Sequence, residues 1–451
     1  MTSLLTSQRP DHGESETPAP QERPDQRESV APAWRLVAGT ELIGQLEGSG
    51  LREPPYLIRR PDGQVVQLSR RLFVIAGSLD DSDLATAAKR AGEALGLRIS
   101  PDNLAYVIER KLAPLGVVSP DGSVPSGLEP RDVLLAMRFR AGLMPAAVVR
   151  RLARLLRPLY WPPVVVIALA LLAGTDGWLI VHGVGGGVRE IIRVPTLMLT
   201  LLGLTFASLL WHELGHATAC SYGGARPGRI GMGIYLIWPA LYTDVTDSYR
   251  LGKGGRLRTD LGGIYFNGLF SLAAMGAFIV TRYAPLLVLI AGQQLIMLDQ
   301  FTPWIRLDGY YVVSDLIGVS DLFERIRPVL AGLRPGRPAD RRVTELKRWA
   351  RWAVTGWVLT TIVALASMLA LLVARAPAYV SSGWASIVRQ VGDAGHAVNH
   401  GAIASLAVGV IGTALLLLPV VAVLYVYVSL CWGAGSRLAR RREDVTLAGR
   451  A

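Results

Sequence analysis

The sequence predicts a polytopic α-helical membrane protein of about six transmembrane helices, preceded by a small cytoplasmic α+β domain. Three observations carry that class. Mean hydropathy is +0.35 and 51% of residues are hydrophobic, more than a soluble chain of this size needs for its core. Apolar stretches recur at roughly the 20-residue length that spans a bilayer. The basic residues, which give a formal net charge of +12 and a pI of about 10.0, gather at the ends of alternate stretches. That is the positive-inside pattern. No aromatic-interleaved basic motif accompanies the charge, so the expected partner is the lipid bilayer and not nucleic acid. The two cysteines, Cys220 and Cys431, are too few for a disulfide framework or a thiolate zinc site. Cys220 reads as a small buried apolar residue.

In chain order, residues 1–33 are rich in Pro, Glu, Gln, Ser and Arg and read as a disordered tail without a cleaved signal peptide. Residues 39–122 have globular composition. Tyr56–Ser69 reads as two short strands around a Pro61-Asp62-Gly63 turn. A helix starts near Arg71, and helical spacing follows over Leu84–Leu95 and Asp102–Leu115, the last capped by Ser100 or Asp102. Gly116–Gly122 gives a further strand and turn. Residues 131–158, with Arg138, Arg140, Arg150, Arg151, Arg154 and Arg157, form a basic amphipathic linker expected on the cytoplasmic bilayer surface. The expected spans are Trp161–Val181, Pro195–Tyr222, Thr259–Val280, Ala284–Trp304, Trp352–Val373 and Ala402–Cys431. The first four belong to a core over residues 159–321. A basic cytoplasmic loop fills 322–351, and the last two spans with a basic tail fill 352–451. The arginine-rich loops all fall on one side, which puts both termini in the cytoplasm.

Chemistry concentrates at the end of the second span. His212-Glu213-Leu-Gly-His216 is an H-E-x-x-H pattern. Residues four apart share one helix face, so both imidazoles can bind one Zn²⁺, with Glu213 beside the metal as a general base toward water. Ionisable groups inside an apolar span are costly and mark function. A catalytic zinc keeps three protein ligands and one open position. Asp308, in Leu307-Asp308-Gly309 at the end of the fourth span and on the same side, is the expected third. His396 and His400 share the spacing but lack the glutamate, and are expected in the loop on the opposite side. Ile230–Tyr242 is too short to span and too apolar for an ordinary loop. It reads as a buried strand or hairpin whose edge holds an extended substrate, with Gly231, Gly233 and Tyr235 in contact with it. Asp244 and Asp247 read as solvated turn residues. Asn267 reads equally as an oxyanion-hole donor or as a polar contact between helices.

The pairing of H-E-L-G-H with L-D-G resembles the site-2 protease-like (M50) intramembrane zinc metalloproteases. Gly231–Tyr235, Tyr242–Arg250 and Arg306–Tyr311 suggest the branch of bacterial peptide zinc metalloproteases. The resemblance implies that His212, His216 and Asp308 bind Zn²⁺ and that Glu213 is the general base. Thr302 stands before Pro303 where the family often has Asn, and Gly262-Gly263-Ile-Tyr-Phe-Asn267 lacks the proline of the family's third-span motif. Residues 39–122, above all Arg60–Leu68, resemble a PqqD-like domain, a small winged-helix fold that holds leader peptides. Together these imply a zinc endopeptidase of the bacterial cytoplasmic membrane that acts on a peptide or membrane-anchored protein, plausibly in leader removal from a ribosomally made peptide, alongside peptide-export or modification proteins. Regulated proteolysis of a membrane-bound regulator is the alternative within that class. A non-catalytic peptide-binding or export component with structural zinc is the alternative outside it.

Overall fold

The computed structural model describes residues 34–80, 83–123, 137–235, 238–334, 338, 340–399, 407 and 410–411. The expected disordered tail and the sixth span, apart from those last three residues, lie outside this set.

The N-terminal module begins with β1 (Arg35–Leu36), β2 (Glu41–Gln45), β3 (Tyr56–Arg59) and β4 (Val65–Leu68), followed by α1 (Arg70–Ser78), α2 (Leu84–Leu95), α3 (Pro101–Val107) and β5 (Val118–Ser119). Strands β2, β3 and β4 form an antiparallel meander, and β1 pairs with β5 to close the module. The β3–β4 turn uses the expected Pro-Asp-Gly, with Gly63 at φ +88°, a conformation open to glycine. Ser69 caps α1, and Ser100, not Asp102, caps α3 by accepting from Asn103 N at 3.3 Å. After Val107 the helix widens into one π turn, Ile108–Leu112, and ends in a 3₁₀ turn, so the single helix expected over Asp102–Leu115 has three pitches. Ile58, Leu68, Ile75, Ala88, Leu104, Ile108 and Leu112 form the core.

The rest is mostly helical. β6 (Met137–Met144) and α4 (Ala146–Leu156) lead into α5 (Pro162–His182), α6 (Gly185–Arg193) and α7 (Pro195–Tyr222). Strands β7 (Ile230–Tyr235) and β8 (Trp238–Thr243) follow, then α8 (Lys253–Asp260), α9 (Gly262–Thr281), α10 (Pro285–Gln300) and α11 (Asp308–Ile317). Last come α12 (Ile326–Gly332), α13 (Arg341–Thr344) and α14 (Arg348–Asn399). Among the described residues, four helical segments are long and apolar enough to cross a membrane: α5, Leu197–Tyr222 of α7, α9, and Arg348–Leu371 of α14.

Several expectations are corrected here. The stretch Ala284–Trp304 holds a helix of only 16 residues, α10, because the chain turns after Gln300. Helix α14 runs for 52 residues, so His396 lies in a helix and not in a loop. His400 is outside the described residues. The basic linker, for which no strand was expected, contains one as well as a helix. Met137-Arg-Phe-Arg-Ala-Gly-Leu-Met144 alternates apolar and basic residues at its start, a period of two, and forms β6. β6 pairs with β7, which pairs with β8, in one antiparallel sheet of order β6-β7-β8. The hairpin expected over Ile230–Tyr242 is therefore present, but β7 is its central strand. Both its edges are taken, and Gly231, Gly233 and Tyr235 do not offer a free backbone edge. α4 does carry the amphipathic pattern. Val149 and Ala153 pack on Ala217 and Ile230, while Arg150, Arg151 and Arg154 stay exposed.

The close crossing of α7 and α9 sets the position of the site. A Cβ on Gly215 would strike the Gly262 carbonyl, and one on Gly262 would strike the Gly215 carbonyl. Two backbones can approach this closely only without side chains between them. Tyr160, buried below the crossing, points its hydroxyl at the carbonyls of both Gly215 (3.1 Å) and Gly262 (3.3 Å).

Candidate metal centre

His212 and His216 lie one turn apart on α7 and face α9 and the start of α11. Their Nε2 atoms are 3.1 Å apart, and Asp308 Oδ2 stands 3.3 Å from each. Asp308 is the first residue of α11, where the positive end of the helix favours a carboxylate. Gly309 is required at the next position, since a Cβ there would run into the Phe301 carbonyl at the end of α10. Gly263 closes the opposite side, where a Cβ would collide with both imidazoles.

The far nitrogens of the rings are engaged. His216 Nδ1 donates to the Thr259 carbonyl at 2.8 Å. His212 Nδ1 lies 3.1 Å from the Asn267 amide. With the amide oxygen turned toward it, Asn267 accepts the Nδ1–H of a neutral imidazole; in the other orientation that buried oxygen has no partner. Each ring proton is thus drawn to Nδ1, and both Nε2 lone pairs face Asp308 Oδ2. Three acceptors that converge without a proton between them repel one another unless a cation sits among them. Tetrahedral zinc with ligands at about 2.0–2.1 Å has ligand–ligand edges of about 3.3 Å. The three edges here, 3.1, 3.3 and 3.3 Å, fit that ion. His212, His216 and Asp308 are the only His, Cys, Asp or Glu grouping of this kind among the described residues, and Cys220, though buried, does not join it.

Glu213 is 8% exposed and sits beside this triangle. Its Oε2 accepts from Thr243 Oγ1 at 2.6 Å, so the last residue of β8 fixes the carboxylate. The Tyr235 hydroxyl accepts from Arg306 N at 3.2 Å and ties β7 to the loop that carries Asp308. Gly231 is small because a Cβ would meet the Tyr242 ring, a packing reason and not a ligand-binding one. Asn267, read equally as an oxyanion donor or a polar contact between helices, makes the second of these, from α9 to His212 on α7. Asp247 is buried and not a solvated turn residue. It accepts from Arg226 N at 2.7 Å and forms an ion pair with Arg250 Nε at 3.1 Å. The sequence reading missed Thr243, the Thr259 carbonyl and Gly263. Only the Gly262-Gly263 pair, next to the Asn267 already singled out, signalled a close approach.

Beyond the histidines lies a buried polar layer. Arg256, 1% exposed, donates to Asp315 Oδ1 (3.2 Å), to the Leu251 carbonyl (3.0 Å) and to the Glu47 carbonyl of the N-terminal module (3.0 Å). Asp260, beside Asp315, has its carboxyl held well above the usual range by burial and by the Asp315 charge.

No family model, curated protein or solved structure matches the chain.

Proposed function

We propose that this chain is a zinc-dependent intramembrane endopeptidase. The observation that carries the reading is the convergence of His212 Nε2, His216 Nε2 and Asp308 Oδ2, each ring backed by a hydrogen bond at Nδ1, with the Glu213 carboxylate alongside. Three protein ligands leave a fourth position open, which suits catalysis better than a closed structural site. Zinc held there would acidify a water molecule and polarise a scissile carbonyl. Glu213 takes the proton from that water and returns it to the leaving amine. Thr243 keeps the carboxylate aimed, and Asn267 and the Thr259 carbonyl keep the imidazoles aimed. Among the described residues no strand pairs with the outer edge of β8, and a peptide that adds to it in extended form would pass Glu213 with its amides available.

In this reading the chain crosses the bacterial cytoplasmic membrane about six times with both termini cytoplasmic. Its kinship is with the site-2 protease-like metalloproteases, and the N-terminal module is a PqqD-like recruiter of a peptide precursor. Leader removal from a ribosomally made peptide, in company with export or modification proteins, is the reaction that follows.

The test is zinc content and peptide cleavage measured on one preparation each of the parent, Glu213→Gln and Asp308→Ala. The expected result is about one zinc per chain in the parent, zinc retained with cleavage lost in Glu213→Gln, and zinc weakened in Asp308→Ala. Cleavage retained by Glu213→Gln would remove the base, and a parent that binds zinc without hydrolysing any candidate precursor would favour the binding or export component.

A further inference from the structure

We propose that the cavity between the N-terminal module and the open end of the β7–β8 hairpin is a subsite for an acidic side chain of the peptide substrate. The inference rests on the peptidase reading for the word substrate, but not for the binding itself. The cavity has a volume of about 480 Å³ and is bounded by Arg59 from β3, Arg150 from α4, Arg226 ahead of β7, and Asp244, Thr246 and Asp247 after β8. Three arginines from three separate elements therefore face two aspartates.

Arg59 is already ion-paired with Asp247 and Glu41, which leaves Arg150 and Arg226 as the open cations of the cavity. Asp247 Oδ2 accepts from Arg226 N, and Oδ1 forms ion pairs with Arg250 Nε and, at 3.4 Å, Arg59 Nη1. Asp244 Oδ1 accepts from Thr246 N at 3.1 Å and Oγ1 at 2.7 Å. The Arg59 Nε is buried without a hydrogen-bond partner. The guanidinium groups of Arg150 and Arg226 are exposed and engage no hydrogen bond or ion pair among the described residues. An arginine fork pairs best with a planar carboxylate, through two parallel hydrogen bonds.

Position supports the same occupant. Asp244 follows Thr243, whose hydroxyl holds Glu213, and the Asp244 and Gly228 backbones continue the hairpin past its last pair. A peptide running along β8 reaches this cavity as it leaves the catalytic carboxylate. Arg59 comes from the module that is expected to recruit peptide. An acidic residue anchored here would set how far the chain is drawn past Glu213.

The test is direct binding to full-length Glu213→Gln in detergent, read by fluorescence anisotropy. The probes are three fluorescein-labelled peptides of one backbone, bearing a Glu-Asp block, the matching Gln-Asn block or a Lys block. The acidic peptide should bind tighter than the neutral one by about tenfold or more at low salt, with the difference shrinking as salt is added. Arg150→Gln with Arg226→Gln should erase the preference. Arg150→Glu with Arg226→Glu should turn it toward the lysine peptide, a gain that a misfolded protein could not show. Equal binding of acidic and neutral peptides, or a preference unmoved by either double variant, would overturn the subsite. So would variants that keep acidic-peptide binding but lose binding to phosphatidylglycerol vesicles, which would make the cavity a headgroup site. Because the readout needs no hydrolysis, acid-selective binding in a chain whose parent cleaves nothing would sustain the subsite and sink the peptidase reading.

Discussion

At the residue scale, the centre is defined by what holds the rings as much as by the rings. Asn267 is 1% exposed and its side-chain contact is to His212 Nδ1. If the centre holds zinc as proposed, its removal should leave the fold but let His212 rotate, so Asn267→Ala is expected to lose about 10- to 100-fold in zinc affinity, the usual cost of removing an outer partner of a ligating histidine. Competition against a chromophoric chelator measures this, and an unchanged affinity would return Asn267 to the role of substrate contact. Of these residues, His212, Glu213, His216 and Asp308 were legible in the sequence because their spacing and their apolar setting are themselves unusual. Asn267 was legible as a position and as a polar contact between helices, but not as the partner of His212. Thr243 and the Thr259 carbonyl were not legible, since a threonine after a strand and a backbone oxygen carry no local signal of what they will meet.

At the element scale, α8 is held in a charged layer beneath the site. Its Thr259 carbonyl accepts from His216, its Arg256 bridges to Asp315, and its Asp260 is the carboxyl with the raised pKa. A carboxyl raised in the folded state keeps its proton there while the unfolded chain releases one near pH 4. The folded state then binds more protons than the unfolded one, so stability falls as pH rises from about 4 through the raised Asp260 value. Asp260→Asn removes that loss. It should gain on the order of 1 kcal/mol over the parent at pH 8 and nothing at pH 4, as read from unfolding curves at the two pH values. Curves for variant and parent that stay parallel with pH would show that Asp260 is ionised in the fold. The elements were unevenly legible. α2 was found to its end residues because its alanine-rich face repeats cleanly, whereas β6 was hidden in a stretch whose arginines also suit an interfacial helix. A short strand of that kind is decided by its partner, here β7, about ninety residues away.

At the scale of the whole molecule, the N-terminal module is stitched to the helical part by backbone. Gly50 N donates to the Gly318 carbonyl at 2.9 Å, Lys347 N to the Gly50 carbonyl at 2.9 Å, and Arg52 N to the Glu345 carbonyl at 2.8 Å. Leu51 pairs with Leu346, and Arg59 and Glu41 form ion pairs with Asp247 and Arg250. Gly318 has φ +69°, and a Cβ there would strike the Gly48 carbonyl. Gly318→Ala combines a strained conformation with that collision and should cost more than about 1 kcal/mol. It should also loosen the docking segment, so that limited proteolysis cuts near residues 47–52 faster than in the parent. A variant with the parent's cleavage pattern would mean that the module is held elsewhere, through its ion pairs.

The sequence by itself determined the apolar segments, the module's hairpin and helices, and the two motifs at 212–216 and 307–309, because period, turn chemistry and ionisable groups in an apolar setting are local properties. Only the tertiary structure decided that α7 and α9 touch through Gly215 and Gly262, that β7 is a central strand and not an edge, and that the ring nitrogens are backed by Asn267 and Thr259. It also decided that arginines from β3, α4 and the turn before β7 share one cavity. Each of these depends on residues brought together from distant parts of the chain, and a contact of that kind is settled by the packing of whole elements, which no single stretch encodes.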